Sequence, residues 1–130
     1  MALTKPAVGA VIDFAGFGDL PDTGDGKFRE KIKRTYIGTK GAGVGDPAVL
    51  NISDGNFITM DKFYVGDGEP GNGADGIVNV TGNGRITAWR THATQGGITL
   101  GQSGYKGTLN MGGNSTSELR SIRLGPDGSA

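Results

Sequence analysis

The stretch YVGDGEPGNGADGIVNVTGNGRIT, from Tyr64 to Thr87, holds the pattern that decides the fold. Short apolar segments alternate in it with segments of glycine, aspartate and asparagine. In IVNV, apolar and polar residues alternate, which places the apolar side chains on one face of a β-strand. Glycine and the Asn–Gly pair supply the positive φ angles that sharp turns need. The stretch therefore predicts strand, turn and strand rather than a disordered linker.

Two signatures from this stretch recur along the chain in strict alternation. The first is an aromatic or apolar pair closed by glycine, and it occurs as YIG (36–38), YVG (64–66), TLG (99–101) and RLG (123–125). The second is an asparagine between two apolar residues, as in LNI (50–52), VNV (78–80) and LNM (109–111). A third short piece follows each asparagine signature, as NFITM, GRITA and STSEL. Repeats of this kind predict a β-solenoid, in which each layer buries its apolar residues on the layer before it.

We therefore expect an all-β fold with glycine-rich, β-helix-like repeats after an extended N-terminal arm. The arm covers residues 1–35 and the β-repeat stem covers residues 36–130, with repeats near 36–63, 64–98, 99–122 and a partial repeat at 123–130. The alternative is a small antiparallel β-sandwich with the motifs as hairpins, which regular strand spacing also suits. The strict alternation of two signatures favours the solenoid.

The asparagine of the second signature has two interpretations. It could form a side-chain ladder between stacked layers, or it could simply tolerate a position beside a turn. The sequence leaves both open.

Composition excludes several classes of function. Positive and negative residues balance at 13 each, so no global charge attracts nucleic acid or an anionic membrane. The absence of cysteine excludes a disulfide framework and a thiolate metal site. No apolar run approaches the roughly 18 residues of a membrane span. The start, MALTKPAVGAVIDFAGFGD, lacks the features of a signal peptide, so we expect a product made in the cytoplasm.

The N-terminal segment has sparse apolar residues among glycine and aspartate, which is typical of an arm ordered by a partner. Within it, KFREKIKR (27–34) predicts either one or two helical turns or a strand. As an anchor, the arm would insert apolar side chains into a neighbouring protein; the candidates are Phe14, Phe17, Leu20 and Phe28.

Support for catalysis is weak. The chain has one histidine, His92, and no local serine–acid arrangement for a nucleophilic triad. Its aspartates lie in turn sequences, where aspartate is favoured by hydrogen bonds to its own backbone. We therefore predict no enzyme and no catalytic residue. Aromatic and arginine side chains dominate interface hot spots, so Trp89, Arg90 and His92 form a candidate contact patch.

Calcium is the one cofactor that the sequence suggests. GNGADGI (71–77) matches most of the glycine- and aspartate-rich nonapeptide that binds calcium in parallel β-rolls. Oxygen ligands for this hard cation would come from Asp67, Glu69, Asn72 and Asp75. The match occurs once, whereas such sites need consecutive copies that face each other, so we expect no resident cofactor.

Two resemblances to known families follow from these motifs. YVGDG…GIVNVTGNGRITA and TLGQSGYKGTLNMGGNSTS resemble the repeats of bacterial autotransporter passengers and similar secreted β-helical proteins, over roughly residues 36–130. The start MALTKPAVGAVIDF is similar to the opening of many bacteriophage tail-fibre and tailspike proteins. LNMGGN (109–114) also resembles a tail-fibre segment, although Lys-Ile usually follows it there and Ser115 and Thr116 follow it here.

The phage resemblance fits both the β-helical type of repeat and the lack of signal-peptide features at the start, because tailspikes are commonly β-helical trimers. It implies a structural virion protein of the tail, used in host adsorption, that forms a homotrimer and contacts other virion proteins. A host surface glycan would be bound through regions beyond this chain. The alternatives are a secreted β-helical adhesin fragment, a capsid decoration protein and an enzyme acting on surface polysaccharide.

RLGPDGSA opens a fourth repeat without a polar cap, so we expect a longer protein or a capping partner.

Overall fold

The computed structural model describes residues 11–18, 28–31, 34–38, 47–59, 62–69, 72–88, 97–102, 104–119, 121–125 and 128–129. These residues form strands and turns, and no helix occurs among them. The strands are β1 (Val11–Phe14), β2 (Phe17–Gly18), β3 (Phe28–Lys31), β4 (Arg34–Ile37), β5 (Ala48–Ile52), β6 (Asn56–Thr59), β7 (Lys62–Val65), β8 (Asp67–Glu69), β9 (Asn72–Ala74), β10 (Gly76–Val80), β11 (Arg85–Ala88), β12 (Gly97–Leu100), β13 (Gly107–Met111), β14 (Thr116–Leu119), β15 (Ile122–Leu124) and β16 (Gly128–Ser129).

Three parallel sheets carry the fold. Sheet A has the order β1-β5-β10-β13-β16, sheet B has β2-β6-β11-β14, and sheet C has β3-β4-β7-β12-β15. Pairing within them is parallel, except that β3 runs antiparallel to β4 at the edge of sheet C. The chain visits sheets A, B and C in turn and then returns to A, so each circuit is one coil of a solenoid. The predicted β-solenoid is confirmed, and the antiparallel sandwich is wrong.

Each sequence signature lies on one sheet, in register from coil to coil. The asparagine signatures form sheet A, where Leu50 pairs with Val78 and Val78 with Leu109. The glycine-closed pairs form sheet C, and the third short pieces form sheet B. Parallel pairing places equivalent residues one above another, about 4.8 Å apart. One coil's sequence pattern is therefore the template for the next.

The core is a column of apolar side chains between the three sheets. Alternate residues of β5 and β10 point inward and are buried, as the period of two requires. Aromatic rings fill the column in the first two coils. The ring centroid of Phe57 lies 5.2 Å from that of Phe63 and 5.5 Å from that of Phe14. Two buried hydroxyls satisfy each other there, because Thr35 Oγ1 donates to Thr59 Oγ1 at 3.0 Å.

The first coil begins before residue 36. Strands β1, β2 and β4 pair in parallel with β5, β6 and β7, so residues 11–18 and 34–37 belong to the solenoid. The predicted boundary at residue 35 lies inside β4. Within KFREKIKR (27–34), the described residues follow the strand alternative, since Phe28–Lys31 form β3 and Arg34 begins β4. The sequence VIDF (11–14) forms the first strand. One short alternation between glycine-rich segments was too weak a pattern to distinguish this strand from an extended arm.

Insertions in the coils lie at the two corners that flank sheet C. The corner from sheet A to sheet B is short in every coil, at residues 15–16, 53–55, 81–84 and 112–115. The corner from sheet C to sheet A carries the antiparallel β8–β9 pair in the second repeat. The unequal repeat lengths therefore leave the strand register intact.

Glycine closes the corner from sheet C to sheet A because neighbouring coils approach too closely there for a side chain. A Cβ atom on Gly107 would lie 1.9 Å from the carbonyl oxygen of Val65. At Gly66 the φ angle is +73°, and a Cβ atom would lie 2.0 Å from the carbonyl oxygen of Lys106. Both obstacles are backbone atoms of an adjacent coil, so neither can rotate away.

We expect Gly107→Ala to lower the free energy of unfolding by about 3 kcal/mol, because the added methyl group forces two coils apart. The matched control is Gly112→Ala, whose Cβ atom would meet nothing within 4 Å. That variant should stay within about 0.5 kcal/mol of the parent chain. Urea denaturation followed by circular dichroism measures both. Equal losses in the two variants would contradict the close approach of the coils.

Candidate functional site

A ladder of side-chain amides runs up the outer face of sheet A. Asn51 Nδ2 donates to Asp13 Oδ1 at 3.0 Å, Asn79 Nδ2 to Asn51 Oδ1 at 2.9 Å, and Asn110 Nδ2 to Asn79 Oδ1 at 2.8 Å. These residues are Cα partners in neighbouring strands, so register alone brings the amides together. The interpretation of the repeated asparagine as a ladder is therefore correct. We refer to these four residues as the amide ladder.

The amide ladder has a direction, and Asp13 determines it. A carboxylate only accepts hydrogen bonds, so Asn51 turns its NH₂ group toward Asp13. Each later asparagine keeps the same orientation. Its NH₂ group donates to the side chain of the preceding coil, and its oxygen faces the side of the next coil. Among the hydrogen bonds of the described residues, none is donated to the Oδ1 of Asn110. The ladder therefore ends at the C-terminal side in an acceptor.

The core column is uncovered at the same end of the solenoid. Ile122 and Leu124 are 55% and 57% exposed, whereas their Cα partners one coil earlier, Ile98 and Leu100, are 1% and 0% exposed. Met111 is 41% exposed above the fully buried Val80. We call this surface the C-terminal face, formed by Met111, Leu119, Ile122 and Leu124.

Backbone groups also end at the C-terminal face. Among the described strands, β14 and β15 are the last of sheets B and C, and each has a described partner on one side. Sheet A extends one step further, where β16 pairs with the first two residues of β13. The described part of the last coil thus exposes apolar side chains that are buried at the equivalent positions of earlier coils.

The N-terminal end of the solenoid is different. Ile12 and Phe14 of the first coil are both buried. At sheet C, the antiparallel strand β3 occupies the edge beside β4. An antiparallel strand interrupts the parallel stacking that the coils require, so this edge does not offer the template that the C-terminal face offers.

Sheet C carries a stacked aromatic pair on its outer face. The rings of Tyr36 and Tyr64 lie 5.0 Å apart between centroids, with an angle of 13° between their planes. The two residues are Cα partners, and the next positions in the column are Thr99 and Arg123.

On sheet B, Arg85 forms an ion pair with Glu118 between neighbouring coils, but both side chains are substantially exposed. Such exposed pairs contribute little to stability.

The predicted anchor residues are only partly described. Phe14 is buried, and its ring packs edge-on against Phe57. The prediction that Phe14 inserts into a neighbouring protein is therefore wrong for the folded chain, because its position in β1 points into the core. Phe17 and Phe28 lie in β2 and β3, but their side chains are outside the described part of the chain, as is Leu20 entirely.

The predicted contact patch, Trp89, Arg90 and His92, also lies outside the described residues. Its role stays a prediction.

Of the calcium candidates, Asp75 has a structural partner. Its Oδ1 accepts a hydrogen bond from the backbone N–H of Lys106 at 2.9 Å, which ties the corner before β10 to the one before β13. Asp67, Glu69 and Asn72 lie in the β8–β9 pair, where Glu69 is the Cα partner of Asn72, but the side chains there are not described. Within the described residues, no three His, Cys, Asp or Glu side chains are grouped to hold a metal ion.

Comparisons with other proteins add no relative. No family model matches the sequence, and neither the curated proteins nor the solved structures contain a significant match. In the described part of the chain, no helix is long and apolar enough to cross a membrane.

Sequence reasoning missed two parts of these surfaces. Asp13 was not connected to the asparagine signatures, although it stands two residues after Val11 as Asn51 stands two after Val49. The Tyr36–Tyr64 stack could have been found from the matching YIG and YVG signatures. The C-terminal face lies where the sequence RLGPDGSA opens a fourth repeat without a polar cap.

We expect Asn79→Ala to destabilise the fold by about 1–2 kcal/mol, because it removes two hydrogen bonds of the amide ladder. Asn110→Ala removes one bond at an exposed end and should cost about half as much or less. Urea denaturation of both variants measures the difference. If the two losses are equal, the ladder does not contribute bond by bond.

Proposed function

We propose that this chain is a structural virion protein, the attachment and stem region of a bacteriophage tail fibre or tailspike used in host adsorption. The observation that carries the proposal is the parallel β-solenoid, whose coils stack in register in three sheets. Such a stack has the regular, extended architecture that a stem needs. The tail-fibre-like segments at the start of the chain and at LNMGGN support the phage setting.

The described geometry suits mechanical work. Every coil is held to the next by parallel strand pairing in three sheets, and the amide ladder adds side-chain bonds in the same direction. Each further coil would lengthen the rod by about 4.8 Å without changing its cross-section. The proposed role is attachment and extension in the virion tail, with other tail proteins as partners.

We further propose that the chain works as a homotrimer. Although the core column is buried, exposed or partly exposed apolar side chains remain on the outer face at Val11, Val49 and Ile77. These three residues form one column on sheet A, beside the amide ladder. Association through rotational symmetry would cover such columns.

The oligomeric state tests the trimer. Sedimentation velocity with light scattering should give a species of three times the 13.3 kDa of one chain. Replacing the column residue Ile77 with Lys should shift the population toward monomer, because three charges would meet in the interface. A stable monomer with dispersed amide signals would contradict the trimer.

Location tests the virion assignment. Antibodies against the chain, applied with gold labels to particles released by cells that carry the gene, should mark the tail. Labelling of the capsid would favour a decoration protein instead. Labelling of the bacterial envelope in the absence of particles would favour a secreted adhesin. Cells with the gene deleted provide the control for non-specific labelling.

A further inference from the structure

We propose that the outer face of sheet C binds an extended acidic segment of another protein, which lies along the solenoid axis with its carboxylates against basic residues of several coils. This inference goes beyond the proposed function and does not depend on it, because the apolar column at Val11, Val49 and Ile77 lies on sheet A instead. Three features of the face point to such a partner: its charge, its dimensions and the stacked tyrosines on it.

The register of sheet C collects basic residues at its outer-face positions. Thr35 and Phe63 are buried Cα partners in β4 and β7. Successive residues of a strand alternate between the two faces of a sheet, so Arg34 and Lys62, one residue earlier, occupy outer-face positions. They are therefore neighbours in one column of the sheet.

Strands β3 and β15 add further basic positions on the same face. Directly opposite residues of paired antiparallel strands share a face, and β3 places Arg29 and Lys31 opposite outer-face positions of β4. In β15, Arg123 is the Cα partner of Thr99, which lies between two buried residues of β12. We call this set of positions the basic face, and it consists of Arg29, Lys31, Arg34, Lys62 and Arg123.

Charge is segregated among the three outer faces, although it balances over the whole chain. In the described strands of sheet C, no acidic residue occupies an outer-face position, since Glu30 lies opposite the buried Thr35. On sheet A, Asp13 is the one charged residue at an outer-face position of β1, β5, β10 and β13. On sheet B, Arg85 already has an ion pair with Glu118. The basic face is therefore the surface that attracts an anionic partner.

The basic face is long and narrow. The five strands of sheet C span about 19 Å along the solenoid axis at about 4.8 Å per step, and the two outer columns lie about 6.6 Å apart along each strand. An extended chain of about six residues covers the same length at about 3.3 Å per residue. A linear segment therefore fits these dimensions, whereas a membrane would extend past the face over the neighbouring corner, where the β8–β9 pair contains Asp67 and Glu69.

The stacked tyrosines favour a chain that carries carboxylates over a nucleic acid strand. Single-stranded nucleic acid binds to aromatic residues by stacking its bases on their ring faces. The facing sides of the Tyr36 and Tyr64 rings cover each other, at 5.0 Å between centroids and 13° between planes. Aromatic ring edges carry partial positive charge, which attracts carboxylate oxygens. Arginine and lysine donate strong, charge-assisted hydrogen bonds to the same group, so both components of the face recognise one chemistry.

The test uses the full chain and a fluorescein-labelled hexaglutamate peptide with blocked termini. We expect binding in fluorescence anisotropy at about 20 mM salt, which weakens steeply toward about 500 mM because salt screens exposed charges. Amide signals of β4, β7 and β12 should shift in NMR spectra, whereas those of β5 and β10 should not. A hexalysine peptide with the same label controls for non-specific association and should not bind.

Two double variants with the same change in net charge locate the site. Lys62→Gln combined with Arg123→Gln removes two charges from the basic face and should weaken binding roughly threefold to tenfold. Arg85→Gln combined with Lys106→Gln removes two charges from exposed positions elsewhere and should leave binding within about twofold of the parent chain. Urea denaturation followed by circular dichroism checks that both variants keep the parent fold.

The proposal is overturned if hexaglutamate does not bind at low salt, if the two double variants weaken binding equally, or if the shifted signals lie on sheet A. It is also overturned if an oligothymidine or vesicles that contain phosphatidylserine bind more tightly than hexaglutamate and lose affinity in the variant of Lys62 and Arg123, because a nucleic acid or a membrane would then be the occupant. Neither the mass of the trimer nor the gold labelling of the tail depends on these results, so the proposed function can survive the loss of this site.

Discussion

The in-register stacking of parallel coils is the constraint on which the rest of this structure depends. Because each residue lies directly above its equivalent, a requirement at one level is repeated at the next. The close corner that excludes a Cβ atom at Gly107 recurs at Gly76, where Ile37 and Gly66 provide the obstacles. The same stacking aligns the apolar columns and brings the asparagine amides within hydrogen-bonding distance. A departure in one coil would therefore strain two neighbours.

The first and the last described coils differ in how their side chains and strand edges are covered. At the first coil, Asp13 closes the amide ladder with a group that can only accept, and β3 occupies an edge of sheet C. At the last coil, the ladder and the columns simply continue to their final residue and remain uncovered. The amide ladder therefore runs in one direction through all the described coils.

Much of the fold was predictable because a repeat presents the same signal several times. One LNI or YVG segment is ambiguous between a hairpin and a solenoid strand, but their strict alternation favours the solenoid. The first coil lacked this advantage. Phe14 belongs to a sheet A strand with no asparagine, since Asp13 stands in its place, and glycine surrounds that strand on both sides. Its aromatic residue was consequently assigned to an arm, whereas it is part of the core.

The sequence by itself determined the all-β class, the positions of the repeated strands and the residues that face inward, because these follow from local alternation and from glycine at the turns. It could not determine what happens between coils. The pairing of Asp13 with Asn51 and the contact of Thr35 with Thr59 join residues far apart in the chain. Only the tertiary structure establishes these contacts, because they depend on which coils lie next to each other and in which register.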